Sequence, residues 1–170
     1  MLRHLIGALG ACLVVGQAAA HVTLENRETP IGAYKAVLRV PHGCEGTATT
    51  ALRVRIPEGV IGVKPMPKPG WTLTTVIGKY PKTYNLYHSK VSEGVTEIMW
   101  AGGKLPDAHY DEFVFQSNLS DDLAPGKMVY FPVVQECEKG VHRWIEIPAE
   151  GKKPGDYSHP APGLKLLPKP

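Results

Sequence analysis

Glycine and proline interrupt this chain so often that no stretch shows helical periodicity over the length of a helix. The runs between them are short and tend to alternate apolar with polar residues, as strands do when one face packs on a core. About nine runs are predicted as strands: residues 21–27, 34–40, 51–56, 71–77, 84–88, 95–100, 112–119, 128–136 and 141–147. Short strands separated by turn-forming clusters predict an all-β fold, an antiparallel β-sandwich.

Alternation within the runs also assigns side chains to faces. In 51–56, Leu52 and Val54 are predicted to point inward, and Pro132 predicts an edge strand or a bulge within 128–136. In 141–147, the residues predicted to face the core are Val141, Ile145 and Ile147, and those on the other face are His142, Trp144 and Glu146. A large aromatic on that outer face needs an explanation, such as packing against a loop or facing a cation.

The first twenty residues have the three parts of a secretory signal peptide. Arg3 provides the basic start, residues 5–15 form the apolar run, and 18–20 are three alanines that precede His21. Cleavage after Ala20 makes His21 the first residue of the mature chain. No later stretch approaches the roughly 20 apolar residues of a membrane-spanning helix, so no transmembrane anchor is expected.

The predicted organisation is therefore a cleaved signal peptide (1–20), a β-sandwich domain (21–148) and a tail rich in Pro and Gly (149–170). The tail composition predicts either disorder or an extended segment along the domain, with apolar residues in 164–167 able to dock. Cleavage removes Arg3 and no acidic residue, which lowers the formal charge from +3 to +2. Nothing in this charge indicates a nucleic-acid partner.

A histidine at the start of a mature chain is a chelator. Its α-amine and its Nδ1 atom can close a ring on one ion, and the deprotonated amide of Val22 can add a third nitrogen. Planar, nitrogen-rich donors suit Cu(II) among the divalent first-row ions. Two alternatives stay open: His21 follows the cleavage site by accident, or residues 9–12 are a lipobox. Acylation of Cys12 would then leave His21 without a free amine.

Removal of the signal peptide leaves two cysteines, Cys44 and Cys137. An exported chain permits them to form a disulfide bond, which is the first prediction for them. The rival role is a thiolate ligand of a blue-copper site, which requires a nearby His and a weak axial Met. His142 follows Cys137 by five residues, but no Met follows it.

Other ligands are needed to complete a copper site that has one terminal histidine. His42 is the further candidate, because it lies in a turn that a Cys44 disulfide would hold, and Glu45 in that turn could donate a carboxylate oxygen. The plainer interpretation of Glu45 is an ordinary solvated glutamate. The remaining histidines are interpreted as surface or turn residues: His88, His109, His142 and His159.

These residues also carry a family resemblance. The motifs are His21-Val22-Thr23, Pro41-His42-Gly43-Cys44-Glu45-Gly46 with the run 49–54, Pro69-Gly70-Trp71, Asp111-Glu112-Phe113 and Arg143-Trp144. Together they resemble the YcnI-like copper-binding domain family of exported bacterial proteins, over residues 22 to about 148.

The resemblance implies an immunoglobulin- or cupredoxin-like β-sandwich that binds Cu(II) through a single-histidine brace. It implies that His21 is the terminal ligand, Glu45 the carboxylate ligand and Trp144 the residue that packs over copper. Many relatives continue into a membrane-anchoring helix, which this chain lacks, and not all carry the Cys44 and Cys137 pair. A periplasmic protein without a tether is therefore expected.

Three functional classes follow. The first is a copper-binding protein that sequesters Cu(II) or delivers it to another copper-handling protein. The second is a copper enzyme that resembles the oxidative polysaccharide-cleaving proteins, in which His42 or His142 would supply the second histidine. The third is an interaction sandwich without metal. No nucleophile elbow, phosphate loop or HExxH motif is present, so the expected protein is not an enzyme.

Overall fold

The computed structural model describes residues 21–169, so the predicted signal peptide and Cys12 lie outside the described residues. This part of the chain forms twelve strands and a 3₁₀ turn at Pro154–Asp156. The strands are β1 (Thr23–Leu24), β2 (Glu28–Pro30), β3 (Ala33–Val40), β4 (Thr49–Arg55), β5 (Val60–Pro65), β6 (Thr72–Leu86), β7 (Ser89–Leu105), β8 (Asp111–Leu119), β9 (Met128–Tyr130), β10 (Val133–Cys137), β11 (Val141–Trp144) and β12 (Gly163–Leu167). No helix among these residues has the length and apolar character needed to cross a membrane.

The strands form three sheets. One sheet has the order β1-β3-β8-β5, a second has the order β11-β10-β4-β7-β6, and a small third sheet has the order β2-β12-β9. Between the named strands of residues 21–169 the pairing is antiparallel, except that β12 runs parallel to β2. The predicted all-β, antiparallel sandwich is confirmed.

The core contains buried side chains from both large sheets. Leu38 and Phe113 come from the first sheet, Leu52 and Trp100 come from the second, and all four are at most 1% exposed. Full burial of an aliphatic or aromatic side chain of this size contributes about 1.5–3 kcal/mol. Trp71 is partly buried and packs edge-on against Phe113, with ring centroids 5.0 Å apart. Trp100 thus belongs to the core, and Trp71 packs against its edge.

Strand boundaries differ from the prediction where the local pattern is broken. The predicted strands 71–77 and 84–88 are one long strand, β6, whose register against β7 shifts between Lys79 and Tyr84. The predicted break at Pro132 is confirmed, because it separates β9 from β10. Strand β5 was not predicted, because its residues do not alternate apolar with polar. In the structure its register shifts between Ile61 and Lys64, around Gly62, which has φ of 61°.

The segment after Pro148, assigned to a tail from its composition, supplies part of this architecture. Strand β12 lies between β2 and β9, and its Leu164 and Leu166 side chains are fully buried. Just before it, the amide of Ala161 donates to the carbonyl of Glu146, and the amide of Glu146 donates to the carbonyl of His159. The segment is therefore extended along the sandwich, and it carries His159 to the end of β11.

Candidate metal centre

Trp144 is buried, contrary to the face assignment made from alternation. It is 3% exposed, whereas the three residues predicted to face the core are 44–56% exposed: Val141, Ile145 and Ile147. The cause is the register of β11 on β10, which pairs Trp144 with Val133 and His142 with Gln135. Directly paired residues share a face, and both Val133 and Gln135 are buried. The apolar residues of this edge strand thus point outward, and Trp144 points inward.

Three histidines contact the Trp144 ring, and a fourth, His42, contacts one of them. The ring of His21 lies edge-on to the Trp144 ring with centroids 5.1 Å apart, and the rings of His142 and His159 lie at 5.0 and 5.2 Å. His142 is in turn 5.9 Å from His159 and 6.3 Å from His42, again between ring centroids. We call His21, His42, His142 and His159 the histidine cluster.

The cluster is assembled from four separate parts of the chain. His21 precedes β1, His42 follows β3, His142 lies in β11, and His159 lies in the segment before β12. His142 lies on a strand and His159 in a bend, and both are partly exposed while their rings pack against Trp144. His88 and His109 are exposed, as predicted. No local motif indicates His159, since the pairing with Glu146 that positions it is a long-range contact.

Gln135 connects the Trp144 side chain to the turn that follows β3. It is 1% exposed, and its Oε1 atom accepts a hydrogen bond of 3.0 Å from Trp144 Nε1. Its Nε2 atom donates to the carbonyl of His42 at 2.7 Å and to Thr49 Oγ1 at 2.8 Å. A buried amide with all these partners is stabilising, and loss of one partner leaves an unsatisfied polar group. Sequence reasoning missed Gln135; its signal was a polar residue at an inward position of a strand.

Glu45 lies at the tip of a two-residue turn. The amide of Cys44 donates to the carbonyl of Thr47 at 3.1 Å, and the amide of Thr47 donates back to Cys44 at 2.8 Å. Between them Glu45 has φ of 50° and Gly46 has φ of 75°, the positive values that a type I′ turn requires. Asn is the usual residue at the first position, and a left-handed conformation costs other L-residues about 1–2 kcal/mol. Glu45 is thus held, exposed, in a conformation that its side chain does not favour.

A disulfide bond fixes this turn to the second large sheet. Cys44 and Cys137 are bonded, with their Cα atoms 5.8 Å apart, so the predicted pairing is confirmed and the thiolate-ligand alternative is wrong. Cys137 ends β10, and Gly140 immediately precedes β11. The Glu45 Oε1 atom lies 3.8 Å from where a β-carbon on Gly140 would be. The bond therefore holds the Glu45 carboxylate beside the start of the strand that carries His142 and Trp144.

The protonation of His142 reflects this environment. Burial lowers the pKa of His142 below its ordinary value of 6.5, and the nearby imidazoles of His159 and His42 lower the pKa further. The carboxylate of Glu45 acts in the opposite direction and does not outweigh them. At neutral pH His142 is therefore an uncharged imidazole, which is the form that coordinates metal ions.

Within residues 21–169, no three His, Cys, Asp or Glu side chains already surround one point as a metal cage. This part of the chain also shows no hydrogen bond or ion pair between His21 and Glu45. The structure brings His21 and Trp144 into contact and holds Glu45 on a turn nearby.

The comparisons with known proteins agree with this fold. The model of the domain of unknown function DUF1775 matches residues 21–166. The chain belongs to this family. The DUF1775 family includes the YcnI-like proteins that the sequence motifs resemble.

Among solved structures, this DUF1775 chain is similar to one described as the crystal structure of an uncharacterized protein from Nocardia farcinica with an immunoglobulin-like fold. The two are 27% identical, with a TM-score of 0.61, over 88% of this chain and 99% of that one. No curated protein matches the chain.

The hydrogen bond between Trp144 and Gln135 can be tested by substitution. Trp144→Phe keeps an aromatic ring but removes the Nε1 donor, which leaves Gln135 Oε1 buried and unsatisfied. We expect the free energy of unfolding to fall by about 1–3 kcal/mol in urea titrations. In a Gln135→Met background the same substitution should cost less, because no acceptor is left unpaired. Equal losses in the two backgrounds would contradict the role of this hydrogen bond.

Proposed function

We propose that the mature protein binds Cu(II) through His21 and Glu45, with Trp144 packed against the site, and that it sequesters or delivers copper. The observation that carries this proposal is the contact between the rings of His21 and Trp144, 5.1 Å apart. This contact brings the residue predicted to begin the mature chain against a fixed, buried aromatic. The Glu45 carboxylate, held by the Cys44 disulfide near the same strand, is the expected oxygen donor.

The donor chemistry supports Cu(II) over other ions. After cleavage, the His21 amine and Nδ1 atom provide two nitrogens, and the Val22 amide can provide a third. A set of nitrogens with one carboxylate oxygen in the same plane is typical of tetragonal Cu(II). A cluster of thioethers, which soft Cu(I) prefers, is not expected among the three methionines of residues 21–169. Met128 lies on β9 and Met99 on β7, which belong to different sheets, and Met66 lies in the loop after β5.

Trp144 is expected to shield the ion and not to donate to it. Its Nε1 atom is already committed to Gln135, so the part of the ring that meets His21 is carbon. The hydrogen bond to Gln135 fixes the orientation of the buried indole, and the ring therefore excludes water from one side of the site. The exposed Glu45 leaves another side open, and an open site with few protein donors suits exchange of copper with a partner.

Export and a binding role, not catalysis, are parts of the same proposal. The Cys44–Cys137 disulfide is compatible with an oxidising compartment such as the periplasm. The single-histidine brace lacks the second histidine ligand of the oxidative polysaccharide-cleaving enzymes. We therefore expect no oxygen-dependent cleavage of polysaccharide by the copper-loaded protein with a reductant.

The test of Glu45 uses two substitutions that should weaken Cu(II) binding alike but differ in their effect on stability. Glu45→Gln removes the anionic oxygen, and we expect Cu(II) affinity to fall at least about tenfold, or 1.4 kcal/mol, with changed paramagnetic resonance parameters. Glu45→Asn should weaken binding as much, yet raise the free energy of unfolding by up to about 1 kcal/mol, because Asn favours the left-handed turn conformation. Competition titrations and urea unfolding of correctly processed protein measure both quantities.

The matched control is Glu150→Gln, which removes an equally exposed carboxylate outside the site. It should bind Cu(II) as wild type does. If Glu45→Gln also retains wild-type affinity and spectrum, Glu45 is not a ligand and His42 becomes the better candidate for the remaining donor.

A further inference from the structure

We propose that the cavity between the first sheet and the β6–β7 hairpin binds a small amphipathic anion, a molecule with an alkyl chain and one carboxylate head. The cavity has a volume of about 850 Å³ and is partly open to solvent. That volume falls within the roughly 300–1,000 Å³ that is typical of small-molecule sites. The residues that line it do not include His21, Glu45 or Trp144, so this inference does not depend on copper.

Two irregular strands form the cavity. The register of β5 on β8 shifts between Ile61 and Lys64, and the register of β6 on β7 shifts between Lys79 and Tyr84. Such irregularities change the direction of side chains and are frequent beside functional sites. The cavity lies where these two irregular segments face each other, and residues of both strands line it.

Tyr80 and two glycines hold the hairpin against β5. The Tyr80 ring covers Gly94 of β7, where a β-carbon would overlap the phenol, and its hydroxyl hydrogen-bonds to the backbone of Gly62 in β5. A β-carbon on Gly62 would lie 2.9 Å from the Leu86 side chain of β6. The two glycines thus permit a close approach of hairpin and sheet, and the walls of the cavity have fixed positions.

Aliphatic side chains cover much of the cavity wall. The larger ones are Val63, Ile77, Leu86, Val91 and Val95. Ile77 is 60% exposed, which is unusual for a large aliphatic residue that lines a concave surface. An alkyl chain in the cavity would remove this apolar surface from water, and that transfer is favourable in proportion to the area buried.

Tyr87 presents an aromatic ring to the same cavity from a conformation that its side chain does not favour. It lies in the two-residue turn between the paired residues Leu86 and Ser89, with φ of 53°. Gly, Asn or Asp is usual where such a turn has positive φ. The ring is 79% exposed, so burial does not compensate for this conformation. An exposed aromatic kept in a disfavoured conformation beside a cavity is typical of a binding residue.

Two lysines provide the site for the carboxylate. Gln116 of β8 pairs with Lys35 of β3 and with Lys64 of β5, so the three side chains share one face. All three line the cavity, and within residues 21–169 neither ammonium group forms an ion pair. Glu93 is the acidic residue of the lining, and it is paired with Lys79 across the hairpin. Two positive charges against one negative charge favour an anion.

The lining as a whole selects an amphiphile. A carboxylate between two ammonium groups and an amide accepts charge-assisted hydrogen bonds, which are the stronger kind. A neutral sugar would leave both ammonium groups unpaired and the aliphatic wall uncovered. A purely apolar molecule would cover the wall and leave the charges without a partner.

The test uses metal-free, correctly processed protein, with decanoate as the probe and decanol as the uncharged molecule of the same chain length. We expect calorimetric titration below the micelle concentration to show one bound decanoate, and decanol to bind at least about tenfold more weakly. Lys35→Gln with Lys64→Gln should weaken decanoate binding at least about tenfold and leave decanol binding unchanged. Lys152→Gln with Lys165→Gln removes two exposed lysines elsewhere and is the matched control, which should bind decanoate as wild type does.

Tyr87→Gly separates a binding role from a structural one. It should weaken the binding of both probes, because the aromatic ring is lost. It should not lower the free energy of unfolding, since Gly adopts positive φ readily. Unchanged binding of both probes by this variant would remove Tyr87 from the site.

Three results would overturn the inference: no binding of decanoate by processed protein, equal binding of decanoate and decanol, or wild-type binding by the Lys35 and Lys64 double variant. Retention on anionic phospholipid vesicles without binding of decanoate would likewise overturn it and assign this surface to a membrane. The double variant should keep wild-type Cu(II) affinity, so failure of this inference and failure of the proposed function are distinguishable.

Discussion

Protein with one extra residue ahead of His21, acetylated at its own amine, is expected to bind Cu(II) more than about a thousandfold more weakly than correctly processed protein, a difference of about 4 kcal/mol. The extension converts the His21 α-amine into an amide nitrogen, and with no free terminal amine beside it this nitrogen keeps its proton at neutral pH, so the six-membered chelate ring through Nδ1 is lost. The His21 side chain is unchanged, and its contact with Trp144 can persist. The loss is therefore assigned to the amine and not to the fold.

Two companion variants complete this experiment. His21→Ala in processed protein keeps the amine but removes the imidazole, and it should also lose the high-affinity site. His88→Ala removes an exposed histidine far from Trp144 in sequence and should leave Cu(II) affinity unchanged. Thermal unfolding of the metal-free proteins checks that each is folded. Equal Cu(II) affinity in extended and processed protein would eliminate the brace.

Short-range patterns predicted the parts of this fold that depend on short-range physics. Leu52 and Val54 alternate with arginines on a central strand, and both are fully buried as predicted. The same rule is wrong for residues 141–147, because β11 is an edge strand and its apolar residues face outward. Alternation marked the inward face in β4, where the other face carries charged residues in contact with solvent, and it was wrong for 141–147, where the apolar residues lie on the outer face. The register with β10, and not the composition of β11, decides which side chains are buried.

The candidate site divides along the same line. The sequence proposes His21 as a ligand through a local signal, the cleavage motif, and Glu45 through its place in the Cys44 turn and the family resemblance. His159 reaches Trp144 through a bridge between Glu146 and Pro160, and no pattern within either segment indicates that contact. Gln135 was missed for a related reason: its role is to join Trp144 to the His42 turn, and that role exists only in three dimensions.

Removal of the disulfide bond is expected to have the largest effect on stability. Cys44 and Cys137 are 93 residues apart, and in the chain-entropy model a cross-link of this span contributes roughly 4–5 kcal/mol by restricting the unfolded chain. Cys44→Ser with Cys137→Ser should therefore lower the free energy of unfolding by about that amount. That is a large fraction of the total stability of a domain of this size.

The same double variant should also weaken Cu(II) binding, because the bond holds the Glu45 turn against β10. Thr47 Oγ1 still donates to the carbonyl of Cys44 and accepts from the amide of Lys139, so the turn keeps a hydrogen-bonded attachment and some affinity should remain. Urea unfolding measures how much the disulfide contributes to the free energy of unfolding. The samples are wild type with and without reductant, and the double variant under the same two conditions. Reductant should shift wild type to the value of the variant and leave the variant unchanged. A loss below about 1 kcal/mol would mean that the turn is held by its hydrogen bonds and that the disulfide contributes little.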